Sequence, residues 1–156
     1  MGRKILVAFD DSKNAMRAVQ FVAETFAPDN KITLLNVLQN SAALCEMNSP
    51  ELTPYFVSQQ DSFCILEDKK KGLVEEATQK AKSVLTNAGF KPQNVTIKLV
   101  PRKKGIAGDI VDEANSGYDI IVLGRRGLSG IKEFLFGSIS QKVLQLAKDV
   151  SVLIVN

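Results

Sequence analysis

The chain has 156 residues, 45% of them apolar, and its formal net charge is +3. This length suits one domain, and the apolar share is enough for a continuous core. So small an excess of positive charge does not by itself indicate a nucleic-acid partner. Histidine is absent, which excludes Ser-His-Asp and Cys-His nucleophilic sites and histidine-based zinc sites.

The N-terminal stretch holds a short apolar run, Lys4 to Phe9, which is typical of a buried strand and too short for a signal peptide. No stretch approaches 18 apolar residues, so we expect no membrane span and a cytoplasmic protein. Ser12 is a plausible N-cap for a helix whose apolar residues recur at helical spacing as far as Phe26. Residues 31–38 predict a second strand.

The segment from Gln39 to about Glu67 shows no sustained hydrophobic period and contains two prolines. It predicts a long irregular insertion, either a lid, an interface element or a partly disordered excursion. Both cysteines, Cys45 and Cys64, fall within it. In a chain with a full core, such a pair favours two free thiols over a disulfide.

Helices and strands alternate again in the second half of the chain. Apolar residues predict the inner face of a long helix that ends at a C′ glycine, Gly89; they are Leu73, Val74, Ala77, Ala81, Val84, Leu85 and Ala88. The remaining predicted elements are a strand at 94–101, a helix at 108–117, a strand at 118–124, a helix at 137–148 and a strand at 150–156. The last helix places Ile139, Val143, Leu144 and Ala147 on one face.

This order predicts one α/β domain over residues 1–156. Strands that alternate with helices form a parallel sheet through right-handed crossovers, with helices on both faces. We therefore expect a single open, doubly covered five-stranded parallel sheet with about four helices, a Rossmann-like fold. Ligands of such sheets bind outside the carboxyl ends of the strands.

A spaced glycine pattern follows the fourth predicted strand. Gly124, Gly127, Gly137 and Ser138 form the pattern G-x2-G-x9-G-S, which matches neither the Walker A loop nor G-x-G-x-x-G. Gly124 is expected to turn the chain with a positive φ, and Gly127 to let backbone approach a ligand. Gly137 and Ser138 open a helix whose free N–H groups attract an anion, so the pattern predicts a phosphate cradle. The alternative is that these glycines serve tight turns and Ser138 only caps a helix.

With these residues in place, the chain resembles the universal stress protein family, specifically its nucleotide-binding branch. The resemblance rests on "KILVAFDDS", "NVL", "YDIIVLGRRGLSGIKEFLFGSIS" and "SVLIVN", and it implies an adenine nucleotide α-hydrolase-like fold. It implies that Asp10 and the backbone at Val37 hold adenine and that Ala8 and Gly124 lie against ribose. The residues that it places around the phosphates are Leu123, Gly127, Gly137, Ser138, Ile139 and Ser140.

The expected function is that of an ATP- or other adenine-nucleotide-binding sensor or regulator of the stress response, with at most slow ATP hydrolysis. No obvious catalytic base accompanies the glycine pattern, and Mg²⁺ or Mn²⁺ would be held mainly by the phosphates. One alternative is an interaction or dimerisation module without nucleotide. An adenylating or ATP-pyrophosphatase enzyme is disfavoured, because "AFDDS" lacks the glycines that its phosphate loop requires.

Several charged residues keep two interpretations. Arg125 and Arg126 either contact phosphates or are loop residues that are solvated or pair with acids such as Glu133, and Asp10 either binds a ligand or helps to cap a helix beside Asp11. The basic run 102–104 is either a solvated turn or part of the pocket rim. No aromatic residues interleave with the basic runs, so no nucleic-acid partner is expected.

The terminal strand is apolar and should occupy a sheet edge. The resemblance implies a homodimer that pairs Ser151 to Asn156 with its copy, which would satisfy an exposed edge. The alternative is a single edge sheltered by the irregular segment.

Overall fold

The computed structural model describes residues 2–38, 54–125 and 138–156. Five strands and four α-helices alternate along these residues. The strands are β1 (Lys4–Ala8), β2 (Lys31–Leu38), β3 (Val95–Pro101), β4 (Ile120–Gly124) and β5 (Ser151–Val155). The helices are α1 (Lys13–Thr25), α2 (Pro54–Asn87), α3 (Ile106–Ala114) and α4 (Ser138–Leu146), with a 3₁₀ turn at Pro92–Asn94.

All five strands belong to one parallel sheet in the order β3-β2-β1-β4-β5. The predicted fold class is confirmed. Strand order reverses beside β1, which pairs with β2 on one side and β4 on the other. Ligand crevices of open α/β sheets form at such a reversal, outside the carboxyl ends of the strands.

Two apolar layers cover the two faces of the sheet. The first contains α1 and the C-terminal part of α2, with Val19, Val22 and Leu85 fully buried. The second contains α3 and α4, with Ile110 and Val143 buried against β1, β2 and β4. The prediction that helices cover both faces of the sheet is confirmed, since each face has its own apolar cluster.

Helix α2 is much longer than the sequence predicts. It begins at Pro54 and runs for 34 residues, so the expectation of irregular structure up to about Glu67 is wrong for residues 54–67. Its apolar pattern fails there because the described side chains of this part are mostly exposed, so no buried face imposes a period. Leu73, predicted to point inward, is 56% exposed for the same reason.

The C-terminal end of α2 confirms the predicted glycine stop. Gly89 has φ 107°, the N–H of Phe90 donates to the Leu85 carbonyl at 3.2 Å, and the N–H of Gly89 donates to the Thr86 carbonyl at 3.1 Å. These two bonds define a Schellman motif. Phe90 and Leu85 are both buried in the first core cluster, so the motif also fixes where the chain re-enters the core.

Three further details differ from the sequence prediction. Helix α3 begins two residues early, at Ile106, because Gly105 takes φ 112° at the N-cap and Ala107 is already buried. Leu144 in α4 is 42% exposed, because α4 presents only its Val143 side to the sheet.

Cys64 is disulfide-bonded, which corrects the expectation of two free thiols; its partner lies outside the described residues. In the described parts of the chain, no helix is long and apolar enough to cross a membrane.

Candidate functional site

A cavity opens at the carboxyl ends of the three strands around the reversal in strand order. Ala8 closes β1, Val37 lies near the end of β2 and Gly124 closes β4, and all three line the cavity. The first turn of α4 completes the wall on the β4 side through Ile139 and Ser140. The cavity therefore spans from β2, across β1, to β4 and the N-terminus of α4.

Most of the residues selected from the sequence meet at this cavity. Seven line it: Ala8, Asp10, Val37, Leu123, Gly124, Ile139 and Ser140. Ser138 is placed differently, since it is exposed and lines an adjoining groove between α3 and α4. Gly127 and Gly137 lie outside the described residues, as do Arg126 and Glu133.

Asp10 and Asp11, which the sequence could not separate, occupy different environments. Asp10 lines the cavity and is partly buried, whereas Asp11 is exposed. One oxygen of Asp10, Oδ1, accepts a hydrogen bond from the backbone N–H of Ser12 at 2.8 Å. Ser12 itself is the N-cap of α1, and its Oγ accepts from the backbone N–H of Ala15 at 3.1 Å. Ser12 therefore caps the helix, while Asp10 is held by its hydrogen bond from the Ser12 N–H and lines the cavity.

Gly124 is required by a close approach rather than by its backbone angle. A Cβ at this position would lie 2.3 Å from the carbonyl oxygen of Asn14 and 3.1 Å from the backbone nitrogen of Ala15. The expectation of a positive φ is wrong, because only Gly89, Gly105 and Gly117 among the described glycines have one. The absent side chain instead lets the first turn of α1 lie against the end of β4, which sets the width of the cavity.

Sequence reasoning missed about half of the cavity wall. The additional lining residues are Phe9, Ser12, Ala15, Leu35, Asn36, Ile106 and Ile110. Ile106 and Ile110 belong to α3, which follows the edge strand β3, so only the three-dimensional arrangement brings them to the centre of the sheet. Asn36 carried a signal, since it is a polar residue between the apolar residues Leu35 and Val37 near the end of β2.

The basic turn after β3 is held in place by a buried carboxylate. Asp109 is 7% exposed, and its two oxygens accept from the backbone N–H groups of Lys103 at 2.8 Å and Lys104 at 3.1 Å. Burial alone would raise the pKa of Asp109, but these two hydrogen bonds and the lysine charges outweigh it, so the pKa lies below its ordinary value. The turn places Arg102 and Lys104 in the groove that adjoins the cavity through Ile106 and Ile139.

Arg125 turns toward the C-terminus. Its backbone N–H donates to the carbonyl of Val155 at 2.8 Å, and its guanidinium donates to the side-chain oxygen of Asn156 at 3.1 Å. The structure therefore shows Arg125 half-buried and bound to the end of β5, and its contact with phosphates stays a prediction.

The cavity offers backbone, hydroxyl and apolar groups, with one carboxylate from Asp10 and one side-chain amide from Asn36. Across the described ranges, no three carboxylate, thiol or imidazole groups lie close enough together to hold a metal ion. Such a wall suits an uncharged planar group at the β2 side, and an anion at the N-terminus of α4, where the helix dipole places partial positive charge.

Comparisons with known proteins agree with this architecture. The family model described as the universal stress protein family matches residues 1–156. A protein of Staphylococcus aureus (strain USA300) that bears the universal stress protein name is 28% identical over 147 residues, which cover 93% of this chain and 79% of that protein.

Solved structures share the fold over nearly the whole chain. Hypothetical protein MJ0577 superposes with a TM-score of 0.71 at 25% identity, over 99% of this chain and 96% of its own. A universal stress protein in complex with cAMP gives 0.65 at 20% identity, over 99% and 97%. A family protein from Arabidopsis thaliana with AMP bound gives 0.60 at 16% identity, over 99% and 92%. The family match over the full length, together with the 3-2-1-4-5 parallel sheet, shows that this chain belongs to the universal stress protein family.

Proposed function

We propose that this protein binds an adenine nucleotide, with ATP as the first candidate, and acts as a nucleotide-dependent sensor or regulator in a stress response. The observation that carries this proposal is the cavity that joins the ends of β1, β2 and β4 to the first turn of α4. Two structures with the same fold are described as complexes, one with cAMP and one with AMP, and both ligands contain adenine.

The two ends of the cavity favour one orientation of the nucleotide. Phosphates belong at the N-terminus of α4, beside Ser140 and Ile139, because unpaired backbone N–H groups and the helix dipole favour negative charge there. The base then lies at the opposite end, next to Asp10 and Val37. Ala8 and Gly124 lie between these ends and leave room for the ribose.

A divalent cation, Mg²⁺ or Mn²⁺, would be bound chiefly by phosphate oxygens. The described residues supply no cluster of three metal-binding side chains, and Mg²⁺ commonly keeps most of its ligands from phosphate and water. The same wall supplies no histidine, since the chain has none. We therefore propose binding as the main activity, with hydrolysis slow at most.

The adjacent aspartates provide a matched test. Isothermal titration should show that Asp10→Asn weakens ATP binding by about tenfold, since its carboxylate at the base end loses its charge and half of its acceptor capacity. Asp11→Asn should bind ATP as the unmodified protein does, because Asp11 is exposed and does not line the cavity. The unmodified protein should also gain several degrees in melting temperature with millimolar ATP. Absence of both binding and thermal shift would contradict the proposed function.

A second function, dimerisation through β5, is favoured by a separate observation. Strand β5 lies at an edge of the sheet, and its Val152, Leu153 and Ile154 are only partly buried. The opposite edge strand, β3, carries Lys98 and ends at Pro101, two residue types that discourage pairing between edges. We propose an antiparallel pairing of β5 with its copy about a two-fold axis.

A further inference from the structure

We infer that Asn36 determines specificity for the base: its side-chain N–H, on Nδ2, donates a hydrogen bond to a ring nitrogen of the bound purine. This inference rests on the proposed adenine-nucleotide function and names a contact within that site. Three observations support it: the burial of Asn36, its lack of a partner, and its place on the cavity wall.

The side-chain nitrogen of Asn36, Nδ2, is buried without a hydrogen bond. Asn36 is 7% exposed, and within the described residues its Nδ2 is the one buried side-chain nitrogen or oxygen that has no partner. An amide removed from water without a partner destabilises the fold, and nearly all buried polar groups are therefore paired. A group that departs from this rule on the wall of a cavity is explained by a ligand that supplies the missing acceptor.

The position of Asn36 places it at the base end of the cavity. Asn36 precedes Val37 near the end of β2, and its neighbour Leu35 accepts a hydrogen bond from the backbone N–H of Phe9 at 2.8 Å. This bond fixes the end of β2 against the chain that leads into Asp10. The α4 terminus, where phosphates belong, lies on the far side of β1.

The chemistry of the amide selects the class of atom that it meets. Nδ2 is a donor only, so its partner must be an acceptor. Adenine presents donors at its 6-amino group and acceptors at its ring nitrogens. A purine ring nitrogen therefore satisfies Asn36, while the 6-amino group is the donor that suits the carboxylate of Asp10.

The inference separates binding from stability. Asn36→Leu removes the unpaired buried donor while keeping a side chain of similar shape, so the empty protein should melt at a higher temperature than the unmodified one. The same variant should bind ATP about tenfold more weakly, because the hydrogen bond to the base is lost. A residue with a merely structural role would not gain stability and lose affinity together.

Deaza analogues identify the acceptor. In 1-deaza-, 3-deaza- and 7-deaza-ATP, one ring nitrogen is replaced by a C–H group that cannot accept. The unmodified protein should bind one of the three about tenfold more weakly than ATP, since Nδ2 is left unpaired against it. Asn36→Leu should bind that analogue and ATP equally. Asn36→Ala, which lacks the donor, should lose the same discrimination and replaces the leucine variant if that variant fails to fold.

Thr33→Val is the matched control. Thr33 is a buried polar residue on the same strand that does not line the cavity, and its Oγ1 contacts the hydroxyl of Tyr118 at 3.2 Å. This variant should bind ATP and every analogue as the unmodified protein does.

The outcomes distinguish this inference from the function on which it rests. An unmodified protein that binds no adenine nucleotide overturns the proposed function. A protein that binds ATP and all three analogues with equal affinity, or an Asn36→Leu variant that binds ATP undiminished, overturns the role of Asn36 alone. A fall in the melting temperature of the empty Asn36→Leu protein would show that the unpaired Nδ2 does not destabilise the fold, and would also overturn the inference.

Discussion

At Gly124 the end of β4 and the start of α1 meet so closely that no side chain fits between them. A methyl group there would lie 2.3 Å from the backbone oxygen of Asn14, and backbone moves at a higher cost than the end of a side chain. We expect Gly124→Ala to lower the free energy of unfolding by roughly 1–3 kcal/mol, as overpacked cores do. Urea unfolding measures this change.

The same substitution should also weaken nucleotide binding, because Gly124 lines the cavity and α1 must shift to admit the methyl group. An alanine variant with unchanged stability would show that α1 moves freely relative to β4. It would also remove the close approach as the reason for a glycine at this position.

Asp109 gives the turn after β3 a pH-dependent anchor. Its pKa lies below the ordinary value of 3.8, so its contribution to stability is present above that value and is lost as the pH falls through the lower, folded-state pKa. We expect Asp109→Asn to destabilise the protein by roughly 1–3 kcal/mol at pH 7, since the amide accepts from only one of the two backbone N–H groups.

The difference in free energy of unfolding between the unmodified protein and Asp109→Asn should narrow as the pH falls below about 4, because the carboxylate takes up its proton there in the unfolded chain and only at lower pH in the folded protein. Chemical unfolding from pH 7 to pH 3 measures both curves. Asp112→Asn is the control, because Asp112 forms only a surface ion pair with Lys104, worth about 0–1 kcal/mol. A constant difference across this pH range would contradict the anchoring role of the Asp109 charge.

Helix α2 shows where sequence patterns predict an element and where they fail. The period of Ala77, Ala81 and Leu85 is visible because these residues are buried or partly buried in the first core cluster. Residues 62–73 have no such face: Phe63, Ile65 and Leu66 are exposed, and so are the charged residues Asp68 to Lys71 that follow them. A helix that buries no side leaves no period of 3.6 residues in its sequence.

Some residues of the candidate site could be predicted from the sequence and others could not. Asp10, Val37 and Gly124 were predictable because strand ends are marked in the sequence, and parallel strands place their ends together. Ile106 and Ile110 were not, because α3 follows the edge strand β3 in the chain and only its packing over the sheet brings it to the cavity. The reason for Gly124 was not predictable either, since its contact with Asn14 joins residues 110 positions apart in the chain.

The C-terminal end of α2 makes a prediction about a single glycine. Gly89→Ala should lower the free energy of unfolding by about 1–2 kcal/mol, because φ 107° is a conformation that a side chain rarely adopts. Gly72→Ala, within the same helix and with no atom near its Cβ position, should raise it by up to about 1 kcal/mol. Thermal and urea unfolding measure both variants. A change in the free energy of unfolding in the same direction for both would contradict the Schellman motif.

At the scale of the whole molecule, the two edges of the sheet differ in the residues whose backbone N–H and C=O groups face outward. On β5, the N–H of Ser151 donates to Asp119 and the carbonyl of Val155 accepts from Arg125. Alternate residues of a strand bond to opposite sides, so Val152 and Ile154 direct their backbone groups away from β4. On β3, the N–H of Arg102 donates to Leu38, which leaves Leu99 and Pro101 facing outward.

The outward-facing positions on the two edges allow a matched test of the proposed dimer. Ile154→Pro removes one outward N–H from β5 and spares its bonds to β4, so the sheet should persist while pairing between copies is lost. The molecular mass measured by light scattering should be twice 17.0 kDa for the unmodified protein and 17.0 kDa for the variant. Leu99→Pro makes the same change on β3 and should leave the mass at the dimer value. A dimer that survives Ile154→Pro and dissociates with Leu99→Pro would assign the interface to β3, because each variant removes one outward N–H from one edge of the sheet.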